Sequence, residues 1–417
     1  MTPPLFMALV LTAAASVPPD GWPGRHDIGE EAGAAALTEA RATWNDQSSW
    51  GHRARRIRQH LATTLHLDPP PDPGPVGIEV TGRLQQDGYT IENVRFETMP
   101  GLFVHANVYR PDGDTMPRPL VLRAHGHFRG NETDPEGRFQ GDVQRIAGLL
   151  ARGGAIVVTW DMMGWGESHQ VTHRRPETTA LQTFNTMRIL DAMLAGDAVD
   201  PERVAMTGSS GGGTQTFLAT ALDPRIRFSA PVVMVSAHFF GGCPCESGFP
   251  VHQVPADGDL PEIRTSNVEF AALAAPRPQR LVSVGGDWTL NTPELEFPYL
   301  QAVYEVMGAR DAVSNRHYPE ENHDYGLNKI DATLDFLTPR LGLDSAAMRT
   351  AKSRPDLDSI RIRSRSELCS TTDTHPLPDH AMQGDEVVWK AYLALPRDEE
   401  HHEESTEETS SSADPTT

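Results

Sequence analysis

Residues Thr207 to Gly212 read Thr-Gly-Ser-Ser-Gly-Gly and hold one serine in the pattern Gly208-x-Ser210-x-Gly212. A serine hydroxyl is a poor nucleophile at neutral pH. It attacks a carbonyl carbon when a base takes its proton and a third group holds that base, so the chemistry open to this serine is acyl transfer. The flanking sequence gives the pattern its meaning. Arg203 to Met206 reads as a short buried strand and Gly213 to Thr220 as the start of a helix, the strand–turn–helix setting of a nucleophile elbow. In so sharp a turn a side chain two residues either side of the serine would clash, which accounts for Gly208 and Gly212. Ser210 then projects its hydroxyl. The Gly211 N–H lies at a helix N-terminus, where a developing oxyanion is favoured.

The other members of such a constellation should follow in the order acid, then histidine. Arg280 to Val284 reads as a strand that runs into Gly285-Gly286-Asp287-Trp288, which puts Asp287 at a strand's C-terminal end. A last short strand, Ser314 to Tyr318, leads into Glu320-Glu321-Asn322-His323-Asp324, and His323 can return over the same edge. Ser210, Asp287 and His323 are therefore the expected nucleophile, acid and base. A second oxyanion donor is expected from the loop Ala124-His125-Gly126-His127, with the backbone N–H of His127 as the candidate. His125 and His127 could suggest a metal, but a backbone role of that loop explains them better. Asp161 to Ser168 matches a D-x-x-G-x-G-x-S turn that reads as structural, with Trp165 facing the pocket. Ala237 to Glu246, rich in aromatics and glycine, should wall the substrate site through Phe239 and Phe240; its Glu246 is the rival to Asp287 as acid.

The elements that must position these residues alternate. A hairpin of Tyr89–Phe96 and Leu102–Tyr109 at a sheet edge precedes strands at Pro119–Ala124, Ala155–Trp160, Arg203–Met206, Pro231–Val235, Arg280–Val284 and Ser314–Tyr318. Helical segments at Gly141–Ala151, Thr178–Leu194, Val268–Leu273 and Pro298–Met307 separate them. Apolar runs buried on both faces and separated by helices imply a mostly parallel sheet with helices on both sides. The expected division is a leader over 1–15, a helical extension over 16–75, the α/β catalytic unit over 76–340, a C-terminal extension over 341–396, and a disordered acidic tail over 397–417. Helical spacing places Leu37–Thr43 and Arg53–Leu65 in the first extension, and a helix near Glu386–Leu395 in the second.

With 417 residues, 38% of them hydrophobic, and a formal charge of −21, the chain can build a sizeable core. Its acidity argues against nucleic acid or an anionic membrane as partner. Leu5 to Leu11 followed by Ala13-x-Ala15 reads as an export signal cleaved before Ser16 and is too short to span a bilayer, though only the terminal amine supplies positive charge in front of it. Cys243, Cys245 and Cys369 exclude a disulfide scaffold. One bridge could form, from Cys369 to either member of the pair; otherwise Cys243 and Cys245 read as buried thiols. Two sulfurs with distant histidines make only a weak zinc pattern, so neither metal nor cofactor is expected. Oligomeric state is left open.

From about Tyr89 to Leu337 the chain resembles the α/β-hydrolase superfamily, and within it the acetyl xylan esterases and dienelactone-hydrolase-like enzymes. The resemblance rests on Leu102-Phe103-Val104 with Tyr109-Arg110-Pro111, His125-Gly126, Asp161 to Ser168, Gly208 to Gly213, Ala275-Pro276-Arg277-Pro278, Asp287 and His323. The chain departs from acetyl xylan esterases of carbohydrate esterase family seven: it has no R-G-Q, and Gly211 and Asp324 stand where those enzymes carry Gln and Glu. The resemblance implies an α/β-hydrolase fold and a secreted or periplasmic serine esterase for small-molecule or polysaccharide esters, and leaves acetyl, methyl and feruloyl groups open. Two other readings stand beside it. A serine peptidase of the prolyl-oligopeptidase type is opposed by the small size of the region before the catalytic unit. A non-catalytic binding protein of the same fold is opposed by the complete Ser, Asp, His order.

Overall fold

The computed structural model describes residues 27–113, 117–127, 136–196, 198–248 and 250–397. The expected leader and the acidic tail beyond 397 lie outside them. In chain order the strands are β1 (Gly77–Gln85), β2 (Tyr89–Met99), β3 (Leu102–Pro111), β4 (Arg118–Ala124), β5 (Ile156–Trp160), β6 (Val199–Ser209), β7 (Phe228–Val232), β8 (Gln253–Val254), β9 (Ile263–Arg264), β10 (Gln279–Gly286) and β11 (Val313–Asn322). The helices are α1 (Glu30–Ala42), α2 (Gln47–Thr64), α3 (Gly141–Arg152), α4 (Thr178–Leu194), α5 (Gly211–Leu222), α6 (Pro244–Ser247), α7 (Asn267–Ala272), α8 (Glu296–Val306), α9 (Leu327–Leu341), α10 (Ser345–Met348), α11 (Arg365–Leu368) and α12 (Asp385–Leu393).

Strands β8 and β9 pair with each other; the other nine form one sheet in the order β1-β2-β3-β5-β4-β6-β7-β10-β11. Strands β1 to β3 and the β3–β5 junction are antiparallel, while β5, β4, β6, β7, β10 and β11 run parallel. Side chains alternate between two apolar layers because successive residues of a strand point to opposite faces. Leu120 and Leu122 of β4, Ile156 and Val158 of β5 and Val204 and Met206 of β6 join one layer, with α1, α2, α4, α5, α7, α8 and α12. Val121, Val157 and Ala205 join the other, with α3, α9, Met348 and Leu368.

One expectation is extended and two shift. The antiparallel hairpin stands at the expected edge region of the sheet but is extended by one strand more, β1, outside β2; β1 is mostly exposed, so no apolar run announces it. The strand expected at Pro231–Val235 ends at Val232, and Val233 turns away with φ 49°. The bridge considered for Cys369 does not form: Cys243 is joined to Cys245, and Cys369 is a half-buried thiol elsewhere.

The C-terminal extension crosses β2 and β3, burying Met348, Ile360, Leu368, Val388 and Tyr392 in the two layers and adding polar contacts to the strands. Asn93 Nδ2 donates to the carbonyls of Glu367 and Cys369, Asn107 Nδ2 to that of Leu368, and Arg95 to those of His375 and Pro376. Tyr392 on α12 donates to the Leu65 carbonyl at the end of α2, tying this extension to the N-terminal one.

Candidate active site

Strand β6 delivers Ser210 to the start of α5 in a strained backbone, φ 55° and ψ −124°, a conformation that L-residues hold only when their surroundings enforce it. The enforcement comes from packing. A Cβ on Gly208 would lie 2.4 Å from the Gly212 carbonyl oxygen, and one on Gly212 would lie 2.3 Å from that of Ala124. The Ser210 N–H donates to Val232 O on the next strand at 3.0 Å, and Ser210 O accepts from Gly213 and Thr214. The imidazole of His127 lies over Gly211, where a Cβ would stand 2.5 Å from its Cε1.

At the same end of the sheet β10 and β11 bring an acid to a histidine. His323 Nδ1 lies 2.7 Å from Asp287 Oδ2. The Asp287 side chain is 2% exposed and that of His323 22%, so the carboxylate is withdrawn from water while the ring stays accessible. Asp287 Oδ1 accepts the Thr289 N–H at 2.7 Å, which fixes the carboxylate's orientation. Gly285 permits the approach, because a Cβ there would fall 2.1 Å from the Pro319 carbonyl oxygen. The Trp288 ring tilts over His323 at 4.3 Å, and Phe239 stacks on Trp288 at 3.9 Å.

Ser210 and His323 open on a cavity of about 340 Å³ lined also by His127, Trp165, His173, Met234, Phe239, Gly242, Cys243, Glu246 and Trp288. Aromatic surface dominates the walls, and the described lining includes neither Lys nor Arg. Trp165 stacks on His127 with ring centres 5.0 Å apart. Glu246 does not take the place of Asp287. Its Oε1 accepts from Thr214 Oγ1 at 2.9 Å and its Oε2 from the Gly242 N–H at 3.0 Å. Burial pushes its carboxyl above the usual range, against the Thr214 and Gly242 hydrogen bonds. Burial likewise pulls His127 down to about 4, with His323 adding to the effect, so its ring is neutral near neutral pH.

Two further residues settle elsewhere. Phe240 is outside the cavity lining, buried with its ring on His252 at 4.0 Å. His125 joins two strand ends instead of facing the cavity, its Nε2 accepting the Met162 N–H at 3.0 Å. The Asp161 turn is structural in its contacts: the carboxylate accepts the N–H groups of Arg138 and Glu167 and pairs with the Arg138 guanidinium. Sequence reasoning passed over His173, Met234 and Trp288 as lining residues. Only Trp288 carried a signal, being next to Asp287.

A strained serine heading a helix, with an Asp–His contact beside it across a sheet of this order, defines an α/β-hydrolase esterase. Methylesterase BT1017 is 37% identical, with TM-score 0.78 over 89% of this chain and 81% of its own. The chain belongs to the family of that methylesterase, among the α/β-hydrolase esterases. A glucuronoyl esterase from Solibacter usitatus superposes with TM-score 0.50 at 18% identity over 71% of this chain and 94% of its own, a likeness of fold. The family model described as X-Pro dipeptidyl-peptidase (S15 family) matches residues 101–267, a span that ends before Asp287 and His323. No curated protein matches the chain in sequence. Among the described residues no helix is long and apolar enough to cross a membrane.

Proposed function

We propose that the protein is an exported serine esterase that cleaves methyl esters on carbohydrate, with acetyl esters as the alternative substrate. The observation that carries the catalytic reading is the 2.7 Å contact between His323 Nδ1 and Asp287. In this reading Nδ1–H is held by the carboxylate, so Nε2 is the basic nitrogen. Ser210 Oγ attacks the ester carbonyl carbon and passes its proton to His323 Nε2. The oxyanion is stabilised by the N–H groups of Gly211 and His127, and Asp287 stabilises the imidazolium. The alcohol leaves with the proton from His323. Water, activated by the same ring, then attacks the acyl-enzyme and frees Ser210.

The methyl preference rests on the relationship to a methylesterase. A sugar carries a carboxyl group as a uronic acid, so a methyl ester on carbohydrate is a methyl uronate, with the sugar on the acyl side. The aromatic walls Trp165, Phe239 and Trp288 offer flat faces for a sugar ring, and esterification removes the charge that a cation would otherwise have to meet. The S15 match on 101–267 keeps a peptidase reading in view. The discriminating experiment compares a methyl-esterified uronate oligosaccharide, an acetylated xylo-oligosaccharide and an X-Pro anilide. Methanol release in excess of acetate, abolished by at least about three orders of magnitude in Ser210→Ala but not in Ser209→Ala, is expected. Faster anilide cleavage would move the assignment to a peptidase.

A further inference from the structure

At the rim of the cavity, one ring nitrogen each of His127 and His173 and the sulfurs of Cys243 and Cys245 all lie within 4.8 Å of one another. They come from three separate loops, which follow β4, β5 and β7. His173 Nε2 is 3.0 Å from Cys245 Sγ and 3.7 Å from Cys243 Sγ. The His127 and His173 rings pack edge to face with centres 4.5 Å apart.

The hydrogen bonding orients His173 as a ligand. His173 Nδ1 is 2.7 Å from the Met163 carbonyl oxygen, with Gln182 Nε2 further off at 3.3 Å. Only an Nδ1–H can be that close to a carbonyl, so Nε2 turns its lone pair toward the sulfurs. Anchoring the far ring N–H on a backbone carbonyl is how metal-binding histidines are held. His127 Nε2 is buried with no hydrogen-bond partner among the described residues, and its Nδ1 faces Glu246 Oε2 at 4.0 Å. A buried ring nitrogen without a partner is costly unless something fills the place.

We propose that His127, His173, Cys243 and Cys245 form a closed Cys₂His₂ zinc site when the two cysteines are reduced. Zinc favours two thiolates and two imidazoles in a tetrahedron, and ligands at about 2.0–2.3 Å from the ion stand about 3.3–3.8 Å apart. The sulfurs must part to that spacing, while His173 starts close to its distance from both. The two thiols release their protons to solvent as two Zn–S bonds form. In the disulfide form each sulfur is committed to the other and no thiolate is offered. Four protein ligands leave no open position, so the ion is structural. It would tie together the three loops that carry His127, His173 and the wall containing Phe239. This proposal is independent of the nucleophile assignment, since it is read out by metal binding.

The test begins with full-length protein reduced by a water-soluble phosphine, which opens the bridge as it becomes the phosphine oxide, then freed of metal by dialysis. One equivalent of Co²⁺ should produce the visible bands of a tetrahedral ion and thiolate-to-cobalt charge-transfer absorption. Zn²⁺ should bleach both. His173→Ala and Cys245→Ser should lose the spectrum, and Cys369→Ser should keep it. Reduced, folded wild-type protein without a cobalt spectrum, or a spectrum unchanged in Cys245→Ser, overturns the site. Should those variants fail to fold, thiol counting on the wild type decides. The chain has three cysteines, and one equivalent of Zn²⁺ should lower the thiols open to a disulfide reagent from three to one. Three reactive thiols in the presence of zinc would refute the proposal.

Discussion

Two buried polar clusters stand at the same end of the sheet, and they are built on opposite terms. Around Arg138 every charge is met. Its guanidinium pairs with Asp161 and Glu167, and donates to Asn107 Oδ1 at 2.8 Å and to the Leu368 carbonyl at 3.1 Å. Glu167 also accepts the Ser370 and Thr371 N–H groups at 2.9 Å each. Around the cavity the terms are reversed. Glu246 has no guanidinium or ammonium beside it among the described lining, and the buried His127 Nε2 and Trp288 Nε1 have no hydrogen-bond partner among the described residues. Burial alone would raise both carboxyl groups. Arg138 and His105 bring Glu167 down to about 2 in spite of it, whereas Glu246 stays above its usual range. A saturated cluster holds structure, here the Asp161 turn and the C-terminal extension. An under-satisfied one keeps its polar atoms for a ligand.

The largest effect should come from the acid that holds His323. Asp287→Asn is expected to lower kcat by about 10³–10⁴ with little change in melting temperature, while Glu246→Gln costs less than about tenfold. Steady-state kinetics of the two variants check this, and a reversed ranking would move the acid to Glu246.

Next comes the saturated cluster. Arg138→Met leaves two buried carboxylates unpaired and should cost about 3–5 kcal/mol in urea unfolding. It should also change the acid limb. The lowered Glu167 contributes stability that is present above its ordinary value of 4.5 and is lost as pH falls through about 2. Melting curves at stepped pH should show that decline in the wild type and a flatter one in the variant; equal slopes would exclude the ion cluster as its origin.

Glu296 gives the opposite sign. Its Oε1 accepts the Ala237 N–H at 3.1 Å, behind the loop that carries Phe239, and burial pushes its carboxyl up to about 7. Between 4.5 and 7 the native state alone keeps this proton, so stability falls as pH rises through that window and is level above it. Glu296→Gln should remove a fall of about 3 kcal/mol. Chemical denaturation at pH 5 and pH 8 measures it, and an unchanged difference would place the pH dependence elsewhere.

The smallest effect concerns the C-terminus. Arg397, one residue beyond the end chosen from sequence, donates from Nη1 to the carbonyls of His66 at 2.7 Å and Pro69 at 2.9 Å. Ending the chain after Arg397 should leave activity unchanged and move the melting temperature by about a degree at most, because residues 398–417 carry almost no apolar side chain to bury. Ending it after Pro396 should cost about 1 kcal/mol more. A large loss from the longer form would show that the acidic residues dock.

What was legible in the sequence was local. Gly208 and Gly212 around Ser210, between an apolar run and a helix, announced the elbow because the constraint acts within five residues. The parallel core was legible because β4, β5 and β6 are buried on both faces and so read as continuous apolar runs. Strand β1 was not, being mostly exposed, nor was the course of the C-terminal extension, whose hydrogen bonds reach back to residues such as Asn93 and Asn107 more than 250 positions away. Chain order alone named Asp287 and His323; their 2.7 Å contact depends on how closely β10 and β11 approach. Glu246 and Asp287 are indistinguishable as residue types. Only the tertiary structure separates them, because a carboxylate's role follows from what lies within a few ångströms of it, and those neighbours come from distant parts of the chain. The same holds for His173, which sequence offers as one histidine among 17 and the fold sets against Cys243 and Cys245.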